Sequence, residues 1–218
     1  MSSGTPLLIT DSSCDLPSEI VERIGVGMLN LRFRLGGDEH VDDLGATMSH
    51  ERFYALMREG ATPTTAAVPL SEYVEAFESA VAQGRPVLLL GLSSALSSTY
   101  ETALTARDMV AADHPGADIR VIDSLNASVA LGLLIVEAAK LLERGARIDT
   151  LTTWALEART RVNGYFTLES LEHLRRGGRI SDALAFSPAR CSTFGRCCAS
   201  TRPGSWCSPA RRAVVASR

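Results

Sequence analysis

At 218 residues the chain suffices for one ordinary domain or two small ones, and 45% apolar with 22% charged residues exclude a disordered or fibrous protein. No apolar run approaches the ~20 residues of a bilayer span, and the run at 7–9 is too short and lacks the basic leader of a signal peptide, so a cytoplasmic protein without disulfides is expected. The net charge of −3 hides an asymmetry: six of the 22 basic residues lie beyond Asp182, the last acidic one, leaving 16 basic against 25 acidic residues in a body that would repel nucleic acid.

Strand-like and helix-like runs alternate along the body, the pattern of an α/β domain with a largely parallel sheet. Leu7-Leu8-Ile9-Thr10 predicts a short buried strand, closed by the polar turn 11–17, and 18–24 reads as a short helix. Alternation over 26–35 predicts one strand ended by Gly36-Gly37, with a further short strand at 40–43. Ser49 is placed to cap a helix over 51–59 that Gly60 closes, and after the polar stretch 62–65 Ser71 is placed to cap a helix to Ala82. Residues 86–90 are the clearest buried strand; the serine-rich stretch 91–98 leads from it into a helix to Ala112. A strand at 119–122, a long apolar helix at 128–143 and a helix from Asp149 to before Arg161 follow. A strand at 165–167, a short helix to Arg175 and the turn 176–179 complete the pattern, with no internal repeat. The stretch 187–218 has no acidic residue and little apolar periodicity, and is rich in Ser, Arg, Cys, Pro and Ala, a composition that predicts disorder.

Three strand-to-helix junctions gather hydroxyls: Asp11-Ser12-Ser13, Thr64-Thr65, and Ser93-Ser94 with Ser97-Ser98-Thr99. Such junctions lie at the carboxyl ends of parallel strands, where ligands bind, and hydroxyls with free N–H groups suit a small anion. Each cluster taken alone also reads as ordinary helix capping. Gly91-Leu92-Ser93-Ser94-Ala95 falls one residue short of a Gly-x-Ser-x-Gly elbow, so a hydrolase using Ser93, with Asp123 and His173 in the order Ser, Asp, His, is the alternative; the context of His173 reads as surface. No dinucleotide or P-loop glycine motif is present, so no nucleotide cofactor is expected. Cys191, Cys197, Cys198 and Cys207 lack a paired Cys-x-x-Cys knuckle, and no metal is expected there. Arg175-Arg176-Gly177-Gly178-Arg179 puts guanidinium groups on a turn able to reach an anion, or simply ends a helix.

Taken together, Ile9-Thr10-Asp11-Ser12-Ser13-Cys14-Asp15-Leu16-Pro17, Pro63-Thr64-Thr65, Leu92-Ser93-Ser94-Ala95-Leu96-Ser97-Ser98-Thr99-Tyr100, Val121-Ile122-Asp123-Ser124 and Leu174-Arg175-Arg176-Gly177-Gly178-Arg179-Ile180-Ser181 resemble the DegV family, five motifs in order over residues 6–185. The resemblance implies an open α/β sheet with flanking helices at 1–160, the start of a second, truncated α/β domain at 161–186, and a non-native tail at 187–218. It implies no enzyme and no cofactor on this chain. Members are fatty-acid-binding subunits that bury a long-chain fatty acid and present its carboxylate to a separate ATP-dependent fatty acid kinase, with transient contact with a membrane surface expected. By the same resemblance the carboxylate-holding hydroxyls fall on Thr65, on the Ser93-Ser94 pair with Ser94 favoured, and on Ser97, and Arg179 is the residue linked to kinase engagement.

The family's usual Thr-Ser-Gln is Thr65-Ala66-Ala67 here, and Ser98 replaces a usual Gly, a conservative change if that position needs no positive φ. After Gly178-Arg179-Ile180-Ser181 the family continues with a segment resembling Leu-Leu-Asn-x-Lys/Arg-Pro-Val-Leu and a further domain. In GC-rich codons, residues 187–208 shifted by one base can read PGSLLNVRPVLRVDEARLLVLP, so a frameshift just after Phe186 is expected, with fatty acid binding impaired in the 218-residue chain.

Overall fold

A computed structural model describes residues 4–168, 172–179 and 196–199. Four strands, β1 (Leu7–Asp11), β2 (Gly27–Leu29), β6 (Val87–Gly91) and β7 (Ile119–Asp123), form a parallel sheet in the order β2-β1-β6-β7. Three short strands, β3 (Arg32–Leu35), β4 (Asp38–Val41) and β5 (Thr64–Ala66), form a separate antiparallel sheet in the order β4-β3-β5.

The central strands β1 and β6 are buried on both faces, and the alternation along the sheet sorts the core into two halves. Leu8, Leu88, Leu90 and Ile122 pack on α5 (Ser128–Glu143) and α6 (Ile148–Ala158) through Leu131, Leu134, Ile135 and Leu151. Ile9, Val87, Leu89 and Ile119 face the other way, onto α3 (Leu70–Ala82) and α4 (Thr99–Asp113) through Tyr73, Phe77, Ala103 and Val110. Two helix layers thus sandwich one sheet, as the α/β pattern predicts, with α1 (Ser18–Ile24) following β1 and α2 (His50–Arg58) following β4.

The single strand expected over 26–35 is two strands in two sheets. Met28 pairs with Thr10 in the parallel sheet, and the chain then crosses over so that Phe33 pairs with Thr65 and His40. Alternation cannot reveal this, because both halves are half-buried and period two. Gly36 and Gly37, at φ +64° and +98°, make the two-residue turn between β3 and β4, which needs positive φ at both positions. Thr64 and Thr65, expected within a polar stretch over 62–65, form β5 with Ala66 because β3 offers an open edge.

Ser49 caps α2 as expected, accepting from Arg52 N at 3.2 Å. Ser71 does not cap α3, which starts one residue earlier: Pro69 sets the extended entry and its carbonyl accepts from Glu72 N at 3.1 Å. Further on, β8 (Tyr165–Leu168) is followed by α7 (Glu172–Arg176). Strand β9 (Arg196–Ala199) pairs antiparallel with β8, Tyr165 opposite Ala199, so four residues of the stretch whose composition predicts disorder are a strand. An open strand edge recruits a partner by backbone bonds alone, whatever the partner's composition. The rest of 187–218, with Cys191 and Cys207, lies outside the described residues.

A candidate ligand cleft at the carboxyl end of the sheet

Strand order reverses between β1 and β6, and in open α/β sheets the crevice beyond that reversal is where ligands sit. A cleft of about 830 Å3 lies on that side. Leu92, Leu96, Ser97 and Ser98 come to it from the loop after β6, Leu31 from the crossover after β2, and Met57 from α2. Thr62, Thr64, Thr65, Ala66 and Ala67 come from β5 and its flanks, and His173, Leu174, Arg176, Gly177 and Arg179 from α7 and its turn. The lining therefore combines leucines and Met57 with threonine and serine hydroxyls and a basic rim.

The loop after β6 is held from beneath by Asp123, at the end of β7. Its carboxylate accepts from Ser94 N at 3.2 Å, Ser94 Oγ at 2.6 Å and Leu125 N at 2.9 Å. Arg159 at the end of α6 donates to the Asp123 carbonyl at 2.9 Å, and Asn126 donates to the Arg159 carbonyl at 3.1 Å. Ser93 is fully buried; its N–H donates to Asn126 O at 3.0 Å and its Oγ accepts from Ala95 N at 3.4 Å. Ser97 Oγ lies 2.6 Å from Thr99 Oγ1 and accepts from the N–H of Thr99, the first residue of α4, at 3.2 Å. Ser98 has φ −72°, so the position needs no glycine.

The expected site residues therefore separate. Thr65 and Ser97 line the cleft together, while Ser93 and Ser94 do not line it, and the Ser94 hydroxyl is spent on Asp123. The hydrolase arrangement lacks its relay, because Asp123 faces Ser94 and Leu125 rather than a histidine, and Ser93 is sealed from solvent. His173, whose context reads as surface, is exposed and also stands in the cleft wall beside Leu174. Nothing in its local sequence signals this, because the packing of α7 against the loop after β6 brings it there. Arg179 closes that contact, donating from Nε to the Leu96 carbonyl at 3.1 Å.

The hydroxyls of the first junction also point elsewhere. Asp11 is buried and accepts from Leu92 N at 2.8 Å and from Ser13, and burial pushes its carboxyl above the usual range. Ser12 donates to Asp42, whose carboxyl is likewise pushed up by burial. Cys14 is buried, and desolvation raises its thiol to about 11, so it is held as an unreactive thiol. Among the described residues no group of three or more His, Cys, Asp or Glu side chains could hold a metal ion, and no helix is long and apolar enough to cross a membrane.

Comparison with known proteins gives the family and the fold. A DegV domain-containing protein of Clostridium perfringens is 38% identical over 179 residues, covering 82% of this chain and 62% of that protein. The chain thus spans less than two thirds of the length of this relative. A stearic acid-binding protein from Eubacterium ventriosum has a similar structure, with a TM-score of 0.76 at 28% identity over 84% of this chain and 64% of that one. A fatty-acid-binding DegV family protein from Thermus thermophilus matches with a TM-score of 0.80 at 28% identity, over 93% of this chain and 70% of that one. DegV of Bacillus subtilis, a fatty acid binding protein, matches with a TM-score of 0.75 at 26% identity, over 90% and 68%. The sequence profile described as "Uncharacterised protein, DegV family" matches residues 7–187, and with the shared fold and the motifs around the cleft it establishes that the chain belongs to the DegV family.

Proposed function

We propose that the chain is a binding protein rather than an enzyme, and that it takes a long-chain fatty acid into the cleft with the carboxylate toward Thr65 and Ser97. The observation that carries this reading is the joint lining: two hydroxyl-bearing segments and a basic rim share one cleft with Leu31, Met57, Leu92, Leu96 and Leu174. Its volume of about 830 Å3 lies within the ~300–1,000 Å3 of small-molecule sites. Solved relatives at 26–28% identity that bind fatty acids support the same assignment. Ser93 and Ser94 serve the site by shaping the loop that carries Ser97.

The finer reading is that the bound acid is presented, at a cytoplasmic membrane surface, to a separate ATP-dependent fatty acid kinase, with Arg179 at the contact. Support for this is the exposed position of Arg179 at the cleft rim. A frameshift after Phe186 accounts for a family match that ends at residue 187 while the chain runs on to Arg218. Fatty acid retention by the 218-residue chain is then weaker than by a frame-restored protein.

Both forms are to be expressed in bacteria, purified and extracted, and the extract read by mass spectrometry. A co-purified long-chain fatty acid, reduced in Thr65→Ala, is the expected result. Extracts holding only nucleotide, or nothing, from both forms overturn the binding assignment. Stoichiometric labelling by a fluorophosphonate probe that disappears in Ser93→Ala would establish the hydrolase instead. Resequencing the coding DNA decides the tail: an uninterrupted frame with no DegV-like continuation in either other frame removes the frameshift.

A further inference from the structure

The ladder between β1 and β6 pairs residues only as far as Ile9 with Leu89, and the ladder between β1 and β2 ends at Asp11 with Leu29. Leu92 and Leu31, the first cleft-lining residues on either side of the strand reversal, lie beyond those last pairs. Side chains take over there. Asp11 accepts from Leu92 N at 2.8 Å, and Ser12 Oγ accepts from Leu31 N at 3.0 Å. The hydroxyl hydrogen of Ser12 goes to Asp42 Oδ2 at 2.8 Å, and Asp42 N donates to the Leu31 carbonyl at 2.9 Å, so Ser12, Leu31 and Asp42 close a ring.

Two further observations show that the arrangement is built. Gly91 is where the Asp11 carboxylate passes: a Cβ there would stand 3.0 Å from Oδ2. Asp11 and Ser12 are each 1% exposed, so neither faces a ligand, and a carboxylate held in such burial is costly unless its bonds are needed. Two adjacent residues at the end of β1 thus hold one backbone N–H on each side of the strand reversal.

We propose that Asp11 and Ser12 are positioning residues for the cleft: through the backbones of Leu92 and Leu31 they set the spacing of its apolar walls, and with it the shape of acyl chain that is preferred. This rests on the fatty-acid reading of the cleft. A straight saturated chain and a kinked cis-unsaturated one differ in the width they need, so wall spacing appears as a ratio of affinities.

The test uses the 218-residue chain and the frame-restored protein, each with Ser12→Ala, Asp11→Ala and Thr10→Val variants, and the ratio is read in whichever form binds. Thr10→Val is the control: it removes a buried bond from the same strand, Thr10 Oγ1 to Leu90 O at 2.9 Å, that ends on a residue outside the cleft lining. Amide hydrogen exchange is followed at Leu31 and Leu92, and affinities are measured for stearate and oleate. Ser12→Ala is expected to lose protection at Leu31, Asp11→Ala, which removes the acceptor, at Leu92, and both to shift the stearate-to-oleate ratio by about threefold to tenfold, with Thr10→Val leaving it within about twofold. A ratio unchanged in both variants, or moved equally by Thr10→Val, overturns the positioning role while the binding assignment stands. If neither the wild-type 218-residue chain nor the wild-type frame-restored protein binds either acid, the binding assignment falls and the positioning role with it, an outcome told apart because no variant is needed to see it.

Discussion

The Nε of Arg179 donates to the carbonyl oxygen of Leu96 at 3.1 Å, fastening the Gly-Gly-Arg turn to the loop that carries Ser97, 83 positions earlier in the chain. The bond is exposed, and such a bond is worth about 0.5–1.5 kcal/mol. Arg179→Ala is therefore expected to weaken fatty acid binding by no more than about tenfold, and to reduce phosphorylation by the kinase more than that. Paired binding and kinase assays check it; equal loss in both would mean that Arg179 serves the cleft alone.

Thr65 and Ser94 part company on the same logic. Removing a hydroxyl that bonds a charged carboxylate costs about 1–3 kcal/mol, so Thr65→Ala should weaken fatty acid binding by about five- to 150-fold with little change in stability. Ser94→Ala takes a donor from Asp123 and should instead lower stability by about 1–3 kcal/mol. Denaturation alongside ligand titration separates the two. A Ser94→Ala chain of unchanged stability that has lost binding would place the carboxylate at Ser94.

Gly132 lets α5 approach the turn after β1. A Cβ at this position would stand 2.7 Å from the Cys14 carbonyl oxygen and 2.9 Å from Leu16 Cδ2. Because the first contact is backbone, Gly132→Ala should destabilise by about 1–3 kcal/mol despite the better helix propensity of Ala. A urea midpoint at or above that of the wild type would show that α5 can shift.

Burial raises the carboxyls of Asp11 and Asp42, and the charge of Asp15 adds to the second while His50 lowers it. A raised carboxyl means that folding favours the protonated form. Its contribution to stability is complete below the unfolded value of about 4 and is lost as pH rises through the folded value. Asp11→Asn removes one such group, so its stability relative to wild type should rise as pH increases from about 4 to 7. Urea midpoints for both proteins across that range test the sign; a difference that falls with pH would contradict it.

Much of the fold was legible in the sequence because it depends on local pattern. Apolar strands such as 87–91 and the long apolar helix at 128–143 announce a buried parallel sheet with helices against it, and the five motifs carried the family. The hydroxyl clusters were legible as residues at junctions, but which way each hydroxyl points was not. Ser94 turns to Asp123, 29 positions away, and Ser12 to Asp42, 30 positions away, whereas Thr65 lines the cleft. The division of 26–35 between two sheets, and the entry of Met57 and His173 into the cleft wall, likewise depend on partners far along the chain. Periodicity specifies which face of a strand is buried, and composition specifies that a turn is polar. The choice of acceptor for a buried hydroxyl is made only when tertiary packing brings carboxylates and backbone N–H groups within hydrogen-bond distance, because leaving any of them unpaired in the interior costs more than the bond itself supplies.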